Sequence, residues 1–272
     1  MIPLVIEPNA LAELLDDEPE GNEYLVVDLC RDENYQRHHI PGAVHISPSE
    51  LVSGAQPAVG KLPPIDRLEN LFSRIGYDPG KHIIAYDDEG GGWAGRFIWT
   101  LDVVGHKKSS YLNGGLIAWA NDQLPLTANA TETKETSVSL TIHPEFIAEK
   151  EEVLASLNDD NTQIWDARSP EEYRGEKVLA VRGGHIPGAI NFDWLELMDR
   201  QKGLRLRQDI ANLVSAKGFE SSSKIITHCQ THHRSGLTYL VGKVLDLNIK
   251  AYHGSWAEWG NDSDTPIDNP TA

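Results

Sequence analysis

Short apolar runs alternate along the chain with longer stretches in which apolar residues recur at three- and four-residue spacing. In the C-terminal half the runs are Ile164 to Asp166, Ala189 to Asn191, Lys224 to His228 and Lys250 to Tyr252, which read as strands. Between them, Asp209 to Gly218 carries apolar residues at helical spacing and stops at a glycine. Ser235 to Leu245 places Leu237, Leu240, Val241, Val244 and Leu245 on one stripe, which predicts a second helix whose apolar face belongs to a core. Strands alternating with helices imply an α/β fold with a mainly parallel sheet flanked by helices on both faces.

The pattern is written twice. Leu25-Val26-Val27-Asp28 with Asn34-Tyr35 returns as Ile164-Trp165-Asp166 with Glu172-Tyr173. His39-Ile40-Pro41-Gly42-Ala43 returns as His185-Ile186-Pro187-Gly188-Ala189, and Asn113-Gly114-Gly115 with Trp119 as His253-Gly254-Ser255 with Trp259. Three blocks in one order predict a duplicated domain. The stretch from Pro125 is rich in small and polar residues and lacks periodicity. This divides the chain into domains at 1–124 and 143–272 with a linker at 125–142.

With 272 residues, 40% of them hydrophobic, two ordinary domains have enough apolar material for real cores. A formal charge of −17, from 24 basic and 41 acidic residues, argues against nucleic acid or an anionic membrane as partner. No run approaches the ~18 apolar residues of a membrane span, and the start, Met1-Ile2-Pro3-Leu4, lacks the pattern of a signal peptide. A cytoplasmic location is the expectation. The two cysteines, Cys30 and Cys229, exclude a disulfide framework and are expected to be free thiols.

Cys229 ends the apolar run Ile225 to His228 and precedes a loop, Gln230-Thr231-His232-His233-Arg234-Ser235, that opens a helix. A strand-loop-helix turn aims successive backbone N–H groups and the positive end of a helix at one point, which favours an anion and lowers a thiol pKa. None of Gln230, Thr231, His232, His233, Arg234 and Ser235 is proline, so each keeps an N–H for such a cradle. Arg234 is the loop's only permanent charge and a candidate anion contact. His232 and His233 read either as charge near neutral pH or as a solvated pair. In the first half Asp87 stands opposite Cys229, followed by the acidic, glycine-rich Asp88-Glu89-Gly90-Gly91-Gly92-Trp93. An aspartate carries no thiol, so that copy is expected to be silent, a packing partner before it is a binding surface. Cys30 falls opposite Arg168 and reads as an inert core thiol.

These repeated blocks, the Cys-Gln-Thr-His-His-Arg loop and the closing Gly-Ser-Trp block resemble a tandem-domain rhodanese, over essentially the whole chain. The resemblance implies two similar α/β domains with the catalytic cysteine in the second, and no cofactor. It implies a persulfide on Cys229, loaded by a small anionic donor such as thiosulfate or a mercapto acid and discharged by cyanide or a thiol acceptor. It further implies that Arg168 binds substrate, which a bidentate guanidinium suits, with Asp166 in support. Mammalian-type members follow the cysteine with two basic residues, whereas here Gln230 and Thr231 stand there, as in a bacterial subgroup. That leaves room for another donor and for a protein as sulfur acceptor. His39 and His185 occupy the same place in both copies, which is better explained by packing than by catalysis.

Three other readings compete. A Cys-based phosphatase of related fold needs five residues between cysteine and arginine, and this loop has four. A persulfide carrier that serves one protein partner would still use Cys229. A metal site from His228, Cys229, His232 and His233 conflicts with a cradle that points N–H groups inward, so no metal is expected.

Overall fold

A computed structural model of the chain describes residues 2–17 and 23–271; Met1, residues 18–22 and Ala272 lie outside the described residues. The first half runs β1 (Val5–Ile6), α1 (Pro8–Asp17), β2 (Tyr24–Asp28), α2 (Asp32–Arg37), β3 (Val44–His45), α3 (Ile65–Arg74), β4 (His82–Tyr86), α4 (Gly92–Val103), β5 (Ser109–Leu112) and α5 (Gly115–Asn121). The second runs β6 (Ile147–Ala148), α6 (Lys150–Ser156), β7 (Thr162–Asp166), α7 (Pro170–Tyr173), β8 (Ile190–Asn191), β9 (Met198–Asp199), β10 (Arg205–Leu206), α8 (Ile210–Ala216), β11 (Lys224–His228), α9 (Arg234–Val244), β12 (Asn248–Tyr252) and α10 (Ser255–Trp259).

Two five-stranded parallel sheets result, ordered β1-β5-β4-β2-β3 and β6-β12-β11-β7-β8. The same order in both halves is the structural form of the repeated sequence. The central strands β4 and β11 are almost wholly buried, as parallel strands covered on two faces must be. The antiparallel ribbon β9/β10 has no counterpart among the described residues of the first half. It comes from a segment, residues 198–206, in which two-residue strands are too short to show a period.

Helices α4 and α9, which follow β4 and β11, pack against each other between the two sheets. In α4 every residue except Trp93 is buried, because the helix is mainly apolar and has protein on all sides. The crossing depends on glycine: a Cβ on Gly95 would lie 2.3 Å from Gly236 O, and one on Gly236 would lie 2.4 Å from Arg96 N. Polar contacts bracket it, with Tyr239 Oη and Lys243 Nζ donating to Asp102 at 2.9 and 2.7 Å. Residues 128–142 carry no helix or strand and are strapped to α3 and the turn after it. Ser73 Oγ donates to Thr136 O at 2.6 Å, Thr136 Oγ1 to Tyr77 O at 2.8 Å and Leu140 N to Glu69 Oε1 at 3.0 Å.

His39 and His185 hold equivalent posts. Each ring stacks on a tyrosine, Tyr35 at 3.9 Å and Tyr173 at 3.6 Å. Each uses Nδ1 against that tyrosine's carbonyl, and each backbone forms a bridge to its domain's closing segment, at Thr127 and Asp268. Their work is structural in both copies.

Candidate active site

Strand β11 ends at His228, and its parallel partner β7 ends at Asp166 in the same register. The carboxyl end of this sheet is where an open α/β sheet presents a site. Cys229 follows, 1% exposed. Its loop is tied down on one side by the closing block of the domain. Cys229 N donates to Ser255 Oγ at 3.4 Å, while Trp256 N and Ala257 N donate to Cys229 O and Gln230 O at 3.0 and 2.9 Å. His232 takes a left-handed turn with φ +53°, which folds the loop back over the sulfur before α9 begins at Arg234. Among the described residues, no carbonyl or side chain accepts from the N–H of Gln230, Thr231, His232 or His233.

The first copy explains what such a loop is for. There Asp87 Oδ1 accepts from the N–H groups of Glu89, Gly90 and Gly91 at 3.1, 3.1 and 2.9 Å, and Oδ2 from Ala94 N at 3.0 Å. The loop of the first copy is a cradle closed on its own carboxylate. The loop of the second copy has a thiol at the matching place and leaves its donors for another anion.

Electrostatics favour that anion. Burial opposes the Cys229 thiolate, yet the Arg234 charge, bonds from the Ser235 side chain and N–H, and the His233 charge outweigh it, so the thiol pKa is lowered. Cys30 shows the opposite case: buried, with Asp28, Asp88 and Asp87 around it, its thiol is driven far upward. Both cysteines are free thiols, and only one is set up to ionise.

The loop side chains go separate ways. Gln230 Nε2 donates to Leu179 O at 3.0 Å. His232 is wholly buried, its Nδ1 2.7 Å from Ser235 Oγ and its ring edge-on to Trp99. Burial holds its pKa well below 6.5, so it is neither the charged nor the solvated group that the sequence suggested. His233 is hydrogen-bonded to Glu89 and stacked on Trp93 at 4.4 Å, with Trp194 edge-on at 5.6 Å. The acidic, glycine-rich loop of the first copy thus packs against His233 of the second. His228 turns Nδ1 to Cys229 O at 3.2 Å and lies 3.7 Å from Asp166. Among the described residues no three His, Cys, Asp or Glu side chains gather as metal ligands do.

Arg168 is 1% exposed. Its Nε and Nη2 meet Asp166 at 2.9 and 2.6 Å, Nη2 also reaches Gly184 O at 2.9 Å, and the guanidinium lies 4.2 Å above the Trp256 ring. The fork that would grip an anion is already filled by a carboxylate. Arg234, 18% exposed, is paired with the buried Glu172.

Two participants were invisible in the sequence. Glu172 appeared only as part of a repeated block, and its role depends on a fold that brings it 62 positions back to Arg234. Arg96, in α4 of the first copy, is completely buried and has no carboxylate partner among the described residues. It donates to Gly60 O at 2.9 Å, Leu51 O at 2.8 Å and, at 3.5 Å, to His232 O in the cradle. Burial pulls its pKa down to about 9, while the Cys229 thiolate holds it up. The available signal was an arginine in the mainly apolar run Gly92–Val103, whose one other charged residue is Asp102.

Sequence comparison bears on this geometry. The rhodanese-like domain matches twice, at residues 8–122 and 149–262. The chain belongs to the rhodanese family. It is 48% identical over 268 residues to the thiosulfate sulfurtransferase of Azotobacter vinelandii, covering 98% of this chain and 97% of that one. It is 29% identical to the sulfur carrier protein TtuD of Thermus thermophilus, over 86% of each. The crystal structure of SseA, a 3-mercaptopyruvate sulfotransferase of Escherichia coli, superposes on this rhodanese with a TM-score of 0.81 at 29% identity. That match covers 94% of this chain and 99% of SseA. No helix among the described residues of this rhodanese is long and apolar enough to cross a membrane.

Proposed function

We propose that this rhodanese moves a sulfane sulfur from thiosulfate to cyanide or a thiol, holding it in between as a persulfide on Cys229. The observation that carries the reading is the pair of cradles: one closes four N–H groups on Asp87, and the other leaves four N–H groups without acceptors beside a thiol of lowered pKa. In the first half-reaction the Cys229 thiolate attacks the outer sulfur of thiosulfate. The S–S bond breaks, sulfite leaves with the electron pair, and the sulfur remains on Cys229. In the second, cyanide attacks that terminal sulfur and departs as thiocyanate, which returns the thiolate.

The N–H groups of Gln230, Thr231, His232, His233, Arg234 and Ser235 hold the persulfide, and Arg234 supplies the charge that favours thiolate and departing sulfite. Arg168 and Asp166 support the loop as a buried ion pair, a role we assign in place of a direct grip on substrate. Reduced Cys30 and Cys229 suit the cytoplasm. The likeness to a sulfur carrier supports a second acceptor class, a protein thiol.

The test is intact-protein mass before and after thiosulfate, then after cyanide with thiocyanate measured, using Cys229→Ala as control. Gain of one sulfur atom that cyanide removes, absent in the variant, is the expected result. Equal sulfur loading of the variant sinks the assignment.

A further inference from the structure

A buried arginine is costly unless its donors are filled and its charge is balanced. Arg96 meets the first condition in large part and not the second. Its guanidinium donates to the carbonyls of Leu51, Gly60 and His232 and lies 4.5 Å above the Trp99 ring. Among the described residues, its buried Nε has no acceptor and no carboxylate pairs with the group. Asp102, the other charged residue of α4, is taken by Tyr239 and Lys243 of the second copy. The fold thus buries a cation and supplies no fixed anion for it.

The acceptors set that cation against the other copy's cradle. His232, whose carbonyl is one of them, lies three positions after Cys229, and its ring is edge-on to the same Trp99 at 4.6 Å. Gly60, a second acceptor, is pressed on the same loop: a Cβ there would lie 2.0 Å from Thr231 O. Beside it Lys61 reaches Glu149 and Glu258 at 3.1 and 2.8 Å, and Leu62 N donates to His253 Nδ1 at 3.1 Å. The charge is felt across this contact. It adds to burial in lowering the pKa of His232 and of His253. Burial brings the pKa of Arg96 itself down to about 9, which leaves it charged at neutral pH, and the one opposite charge acting on it is the Cys229 thiolate.

We propose that Arg96 is a positioning residue for sulfur transfer, and that the counter-ion of its buried charge is the sulfur anion on Cys229, as thiolate and as persulfide. The persulfide half of this rests on the function proposed above, and the thiolate half does not. Ionisation of Cys229 gives the buried cation its partner, so the same charge that costs stability in the thiol form favours the anion. Arg234, Ser235 and His233, on the cradle loop itself, stand ahead of it among the influences on the thiol. Arg234 and His233 are each matched by a carboxylate, Glu172 and Glu89, whereas Arg96 is not. The first copy, with no thiol in its own loop, thereby lends a charge to the chemistry of the second.

The experiment follows the pH dependence of iodoacetamide alkylation, read by mass on the Cys229 peptide, in two variants. Arg96→Met removes both charge and donors, and Arg96→Gln removes the charge and keeps N–H donors for the carbonyls. Both are expected to move the midpoint to higher pH, by less than Arg234→Gln moves it. Should Arg96→Met fail to fold, Arg96→Gln decides alone. Loading the parent chain with sulfur from thiosulfate is expected to raise its Tm by about 2–4 °C, and that rise should shrink in the variants. A midpoint in Arg96→Gln equal to the parent's overturns the proposal, since contacts to carbonyls and not charge would then set the thiol. An equal rise in Tm on loading in parent and variants overturns the persulfide half. A parent chain that gains no sulfur, with the alkylation shift present, strikes the function proposed above and supports the pairing of Arg96 with the thiolate.

Discussion

Arg234 meets Glu172 fork to fork, Nη1 donating to Oε2 at 2.6 Å and Nη2 to Oε1 at 2.8 Å. Glu172 is buried, and it also closes the capping box that starts α7 with Ser169. The carboxylate thereby fixes a guanidinium whose charge acts on Cys229. A bidentate pair of this kind fixes direction as well as distance.

Removing that charge should be visible at the sulfur. Against burial, Arg234 is the foremost influence lowering the Cys229 pKa, so Arg234→Gln is expected to raise it. The pH dependence of iodoacetamide alkylation measures it directly. An unmoved profile would remove Arg234 from the electrostatics of the site.

The buried pair of Asp166 and Arg168 predicts an acid-sensitive stability. Burial alone would raise the Asp166 carboxyl, but Arg168 and His228 bring it down to about 2, below its usual 3.8. Because the folded value is depressed, the stabilisation is complete above the unfolded pKa near 4. It is lost as pH falls toward 2 and amounts to on the order of 2 kcal/mol. The urea midpoint of the parent chain should fall over that range, and Asp166→Asn/Arg168→Met, which removes both charges, should flatten the slope.

Arg168→Lys separates positioning from substrate binding. It keeps the charge and loses the fork, so a lowered Tm with an unchanged KM for thiosulfate is expected. A raised KM at unchanged Tm would restore the direct grip. Arg168→Ala strands Asp166 and should cost about 3–5 kcal/mol.

Asp87→Cys in a Cys229→Ser background asks whether an N–H cradle suffices. Position 92, the counterpart of Arg234 by count from Asp87, is glycine, and Glu89 lies in the same loop. The new thiol should stay protonated, react with iodoacetamide at least about 100-fold more slowly than Cys229 at neutral pH, and gain no sulfur from thiosulfate.

Gly236→Ala tests the helix crossing. Its Cβ would meet Gly92 O at 2.3 Å, and the shift needed should cost about 1–3 kcal/mol. Because Trp93 and Glu89 belong to one copy and His233 to the other, thermal unfolding and the fluorescence of Trp93 should change together. A Tm unchanged from the parent would mean that the two helices do not need this close approach.

Much of the frame was legible because it is made of local, repeated signals. Strands β7, β11 and β12 and helices α8 and α9 fall where apolar spacing puts them, and the blocks around Asp28 and Asp166 foretell equal sheets. Edge strands β1 and β6, two residues each, were missed because two residues carry no period. Cys229 was legible from the strand-loop-helix grammar around it. The partners of Arg168, Arg234 and His233 were not, since which carboxylate faces a guanidinium is decided by folding across tens of residues. Arg96 was hidden more deeply, because its contact to His232 exists only once the two copies have packed.

Gly95 faces Gly236, and Gly236 faces Gly92 and Arg96, in a reciprocal crossing of two equivalent helices. That is the signature of a two-fold interface between identical subunits, here joined in one chain by the strap at residues 128–142. The molecule is a dimer of itself that no dilution can separate. In one half Asp87 fills its own loop's N–H cradle, so the two halves keep the symmetry of the fold and part company at that one position.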